Sequence, residues 1–142
     1  MGSAPDAIRA VEFELNSFTS IVAINNAWKI TPRWTYSIFP TDFPFERRPK
    51  EKLKRTLLTA QEYVPIQNKY GGFLYAGGTM AFTAAYWALG CLNPSFIAFL
   101  GCDMVYKGSN THFYGSGTAD PLRVDPSPRS IEAKANRFEY IA

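Results

Sequence analysis

Short apolar runs alternate with stretches of helical spacing along this chain, and that alternation constrains its fold more than any other feature. Ser20–Ile24 and Ser95–Leu100 are runs too short for an ordinary helix, and each predicts a buried strand. Thr35–Phe39 predicts another short strand, and Tyr63–Gln67 a further one. Between them, Asp6–Leu15 sets Ile8, Val11 and Leu15 at three- and four-residue spacing, which predicts a helix. Lys50–Glu62 and Ser130–Ala142 read as helices too. Thr79–Leu89 is a largely apolar helix, opened by Gly77-Gly78-Thr79 with Thr79 as N-cap and closed by Gly90 in the left-handed position. Strands alternating with helices imply a mostly parallel sheet covered on both faces, an α/β fold of three layers. Ligands of such sheets bind beyond the carboxyl ends of the strands. Asn25, Asp42, Gly78 and Asp103 are all expected at or near that rim.

The 142 residues suffice for one domain over 1–142 with a real core. Both ends read as cut. Gly2-Ser3-Ala4-Pro5 has the form of a loop that follows a first strand, and no strand follows the helix at 130–142. The expectation is a domain lacking its first strand and its C-terminal elements.

The net charge of +3 is too small to imply nucleic acid. Its placement says more, because residues 46–55 hold six basic residues against two acidic ones. This segment reads either as a solvated helix start or as a surface that attracts an anionic substrate or membrane headgroups. No apolar run approaches the roughly 18 residues of a membrane span, and Met1–Asp6 lacks the features of a signal peptide. The expected location is cytoplasmic, with peripheral contact at the inner membrane through 46–55. Cys91 and Cys102 sit in apolar surroundings and read as reduced, buried thiols.

Few residues can carry chemistry. The loop Gly2-Ser3-Ala4-Pro5-Asp6 puts small residues before a helix, whose first N–H groups can hold a phosphate or simply form a capped turn. Asn25 and Asn26 offer donors and acceptors to a base or ribose, or form a turn. Asp103 follows a strand directly, but Val105 stands where an Asp-x-Asp metal pair needs its second acid. Zinc spacing is absent, so no metal site is expected. His112 is the only imidazole, so any histidine general base must be this residue. Tyr106 and Tyr114 flank it, and phenols donate hydrogen bonds to a departing phosphate.

In order along the chain, these segments resemble the bacterial lipo-oligosaccharide sialyltransferases and their Rossmann-like relatives. Gly2-Ser3-Ala4-Pro5-Asp6 takes the place of that family's glycine loop, and Asn25 that of a strand-end asparagine contacting the nucleotide. Gly77-Gly78-Thr79 resembles its helix-opening turn, on a helix that ends Ala88-Leu89-Gly90 as the family's does. Gly101-Cys102-Asp103 with Tyr106, and His112-Phe113-Tyr114-Gly115, are similar to its last two motifs. The sequence departs from the family at Ser3, at Gly78 and in a shorter segment between Asp103 and His112.

The resemblance implies a Rossmann-like sheet that binds a CMP-sugar without metal or other cofactor and transfers the sugar to a glycan acceptor, as in lipopolysaccharide biosynthesis. His112 would be the general base, with Tyr106 and Tyr114 as phosphate partners. Gly2, Ser3, Ala4, Pro5, Asn25, Asp42, Gly78, Thr79 and Asp103 would line the nucleotide site. Two other readings stand beside it. One is an ATP- and magnesium-dependent enzyme similar to pterin diphosphokinases, with Asp42 and Asp103 as its carboxylates. The other is a non-catalytic nucleotide-binding or interaction domain.

Overall fold

Val22, Ala23 and Ile24 form β1, and a parallel sheet grows from it in a computed structural model of the protein. β2 is Tyr36–Ile38 and β3 is Thr56–Leu58, in the order β1-β2-β3. Ile24, Ile38 and Leu58 share one register row, so all three point to the same face. There they meet two helices, α1 (Ala60–Asn68) and α2 (Met80–Leu92), through Tyr63, Ala81, Ala84, Trp87 and Ala88. The opposite face buries Ala23, Ala27 and Trp34, with Met1, Ile21, Trp28 and Leu57 packed around them. The expected mixed α/β fold with a parallel sheet is therefore present. The structure describes residues 1–14, 18, 20–50, 56–70, 80–102 and 110–115.

Backbone hydrogen bonds extend the sheet beyond β1. Met1 donates to the Val22 carbonyl and accepts from the Ile24 N–H, both at 2.9 Å, which is the pattern of a parallel pair. Gly2 then donates to the Leu100 carbonyl at 2.7 Å on its other side. Met1–Gly2 thus stands as a strand position between β1 and Leu100.

Several elements differ from the sequence reading. Asp6–Leu15 was expected as an α-helix, but the segment is a 3-10 helix over Pro5–Val11. With three residues per turn it buries Ala7 and Ala10 and leaves Ile8 and Val11 exposed. The assignments around residue 58 are reversed: Thr56–Leu58 is a strand inside the expected helix, and Tyr63–Gln67 is helical. A capping box decides this. The Thr59 N–H donates to Glu62 Oε2 at 2.6 Å, and Thr59 Oγ1 accepts from the Gln61 N–H, so the helix starts after Thr59.

Gly90 does not end its helix. It lies inside α2, where any Cβ would meet Ile66 and Tyr70, so it lets α1 and α2 approach closely. Asn93, at φ 45°, takes the left-handed position instead. Ser95–Leu100, expected as a strand, is not one; its Leu100 carbonyl accepts the Gly2 N–H beside Met1. Cys91 is exposed rather than buried. The helix-opening Gly77-Gly78-Thr79, the basic residues 51–55 and the helix expected at 130–142 lie outside the described residues.

Candidate functional site

β1 ends at Ile24, and the next residue, Asn25, turns the chain with φ 53°. That left-handed backbone is uncommon for any residue but glycine, and asparagine tolerates it better than most. The Oδ1 atoms of Asn25 and of the buried Asn26 are enclosed without a hydrogen-bond partner. Ser3 leads out of the neighbouring strand position at the same edge, and its hydroxyl donates to the Ile24 carbonyl at 3.5 Å.

The loop from Gly2 to Pro5 is held by close backbone crossing. Gly2 passes so near the Gly101 carbonyl that no Cβ would fit. Gly101 itself has φ 65° and lies against Ala7. The Gly2 and Ala4 N–H groups donate to the Leu100 and Gly101 carbonyls at 2.7 and 3.1 Å. Since Pro5 has no N–H, Ser3 is the residue of Gly2–Pro5 that could still offer a backbone donor and a hydroxyl to a phosphate.

His112 is brought to this loop. His112 and Gly115 exchange both backbone hydrogen bonds, at 3.1 and 3.0 Å, closing a four-residue hairpin. The Phe113 N–H of this hairpin donates to the Ser3 carbonyl at 2.9 Å. The imidazole stacks on the Tyr114 ring with centroids 5.0 Å apart, and its Nδ1 lies 2.8 Å from Thr111 Oγ1. Burial pushes the His112 pKa below its usual value, which keeps the ring neutral near pH 7. A neutral imidazole can accept a proton.

Of the residues singled out from sequence, Gly2, Ser3, Ala4, Pro5, Asn25, His112 and Tyr114 belong to this linked set. Asp42 stands exposed on the loop after β2, where its charge helps raise the Tyr63 phenol pKa after the larger effect of burial. Tyr106, Gly78, Thr79 and Asp103 lie outside the described residues. Sequence reasoning passed over Thr111 and the Gly2–Gly101 crossing. The second was legible only as two glycines far apart in the chain.

Arg48, from the basic segment, is turned inward. It donates to the Phe43 carbonyl at 2.8 and 3.0 Å and to the Thr41 carbonyl at 3.1 Å, and it lies over the Phe39 ring. Among the described residues no helix is long and apolar enough to cross a membrane, and no group of three His, Cys, Asp or Glu residues could hold a metal ion.

Comparison with protein-family models, curated proteins and solved structures finds no match to this chain.

Proposed function

We propose that the protein is a sialyltransferase-like glycosyltransferase with a Rossmann-like, three-layer fold, moving a sugar from a CMP-sugar donor to a glycan acceptor without a metal. One observation carries this reading: the hairpin bearing the only imidazole is hydrogen-bonded to Ser3 in the loop beside Asn25. A histidine and a strand-end asparagine far apart in sequence thereby reach one edge of a parallel sheet, where such folds bind ligands.

In the proposed reaction His112 takes the proton of an acceptor hydroxyl. In the tautomer whose Nδ1–H donates to Thr111 Oγ1, Nε2 is the nitrogen that would receive it. The acceptor oxygen bonds to the anomeric carbon, and the bond from that carbon to the CMP phosphate oxygen breaks. Tyr114, stacked on His112, and Tyr106 are the candidate donors to the departing phosphate. The unsatisfied amide oxygens of Asn25 and Asn26 suit the amino group of a cytosine or a ribose hydroxyl. The proposed location is the cytoplasm, at the inner membrane through 46–55. Arg48 is spent inside the fold, so headgroup contact would fall to the other basic residues of that segment.

A second reading, a non-catalytic domain, is favoured by the N–H groups of Gly2 and Ala4, which are already bonded to carbonyls and leave a reduced phosphate cradle. A thermal-shift screen with CMP, CDP and ATP, each with and without magnesium, separates the readings. Stabilisation by CMP without magnesium supports the transferase. A shift only with ATP and magnesium favours the diphosphokinase-like enzyme, and no shift favours the non-catalytic domain.

A further inference from the structure

A cavity of about 730 Å³ opens between parts of the chain that are distant in sequence. α2 lines it with Ala81, Ala84, Ala85 and Ala88, and β1 with Val22 and Ile24. Residues 93–100 and the aromatic pair Phe13 and Phe18 complete the lining among the described residues. The volume lies within the range of small-molecule sites, about 300–1,000 Å³. Enclosure by several elements makes this a site with depth rather than a flat apolar face.

The lining changes in character from its inner end to its mouth. The four alanines are buried, so the inner end is methyl surface along two turns of α2, roughly 10 Å. Phe13, Phe18 and Phe96 are 43%, 38% and 66% exposed, so they border the opening. Phe18 and Phe96 are in ring contact there, with centroids 5.9 Å apart. No described lining residue has a charged side chain, and the polar ones are Ser20, Asn93 and Ser95. Asn93 and Ser95 are exposed, which puts polar groups toward solvent. Water gains little in the inner end, where polar partners are scarce. A sugar, nucleotide or peptide there would bury its own hydroxyls or amides against methyl groups.

We propose that this cavity binds the hydrocarbon chain of a single-chain amphiphile, with the chain along Ala81–Ala88 and the polar head at the mouth. Three features select this ligand. The inner end accepts only apolar groups, and its length along the helix suits an extended chain better than a compact ring. The polar side chains stand at the mouth beside Asn93 and Ser95, where a head group stays in water. Finally, large apolar side chains exposed together mark a binding region, and Phe13, Phe18 and Phe96 would close over the entering chain. The inference is independent of the catalytic reading.

The probes are hexanol, octanol and decanol, titrated calorimetrically into the full chain below their solubility limits. Binding should saturate at one alcohol per chain and tighten about fourfold for each added carbon. No saturable binding, or an affinity that ignores chain length, would overturn the proposal. An octanediol with a hydroxyl at each end should bind at least about tenfold more weakly than octanol, because its inner hydroxyl would be buried. Equal binding would mean that the chain lies across the surface, and the proposal would fall. Ala85→Leu fills the inner end and should weaken octanol binding at least about tenfold. If that variant fails to fold, Phe96→Ser decides, since so exposed a side chain can be replaced without loss of the fold. It should weaken octanol binding about threefold or more. Unchanged binding in a folded variant would refute the site. A dimer that Phe96→Ser dissociates, with no alcohol binding, would also overturn the proposal and make the aromatic mouth a contact between two copies.

Discussion

The carbonyl of Ser3 accepts the amide N–H of Phe113 at 2.9 Å, tying the first loop of the chain to the hairpin that carries its only histidine. Because the bond is backbone to backbone, it fixes the hairpin without using any side chain that could serve a ligand. His112 therefore has a backbone position anchored beside the Gly2–Pro5 loop.

If His112 is the general base, His112→Ala should lower transfer by about 100- to 10,000-fold and leave CMP binding nearly unchanged. Steady-state transfer kinetics alongside calorimetric titration with CMP read the two effects separately. An NMR titration of the ring should give a pKa below 6.5, because burial disfavours the charged imidazolium. Activity should then persist at mildly acidic pH and disappear as pH falls through that lowered value. Transfer unaffected by His112→Ala would remove the catalytic assignment.

The crossing of Gly2 and Gly101 gives a stability prediction. At Gly101 an L side chain must adopt φ 65°, costing about 1–2 kcal/mol, and its Cβ would also meet the Ala7 Cβ at 2.5 Å. Gly101→Ala should thus lower the unfolding free energy by more than the backbone cost alone, as read by urea titration. Gly115→Ala is the control. Its φ of 102° is also unfavourable, but nothing lies within 4 Å of the added carbon, so the loss should be smaller.

The capping box on α1 should be worth about 1 kcal/mol, so Thr59→Ala should shift the urea midpoint accordingly. This motif also shows how much of the fold was legible. Thr59 and Glu62 have the residue types and spacing of a capping box, but the sequence reading ran a helix through them to Glu62 and placed a strand at Tyr63–Gln67. β1 and β2 were readable because each is a short run buried toward both faces, apolar at Val22–Ile24 and broken only by Ser37 at Tyr36–Ile38. Ser95–Leu100 is also a largely apolar run but is not a strand, and composition does not report which runs find a ladder. The candidate site was legible as residue types at strand ends. The docking of His112 onto Ser3 was not, because a backbone hydrogen bond leaves no mark on residue identity.

Stability should rise with pH between about 5.5 and 8.5. Burial lowers the pKa of the Met1 ammonium below 8.0, with only a smaller opposing effect from Cys102, and burial likewise lowers that of His112 below 6.5. In both cases the unfolded chain binds the proton more readily. Stability is therefore full above the unfolded pKa and is lost as pH falls toward the folded one. Urea denaturation at pH 5.5, 7 and 8.5 should show this order. Acetylating the Met1 amine should flatten the upper part of the curve and leave the His112 part in place. A curve that falls with rising pH would contradict the burial of both groups.

Asn25 poses a choice between backbone and ligand that substitution can resolve. Its φ of 53° alone explains an asparagine there, since the left-handed region suits asparagine and glycine. Its buried, unsatisfied Oδ1 is not explained that way, because an enclosed acceptor without a partner costs about 1–3 kcal/mol. Asn25→Gly keeps the backbone conformation and removes the orphan oxygen, so it should leave the urea midpoint unchanged or raise it. Asn25→Ala keeps the strain and should lower it. If the amide serves a nucleotide, both variants should lose CMP binding in calorimetry despite their opposite effects on stability. Retained binding in Asn25→Gly would reduce Asn25 to a turn residue and take the nucleotide contact away from this end of β1.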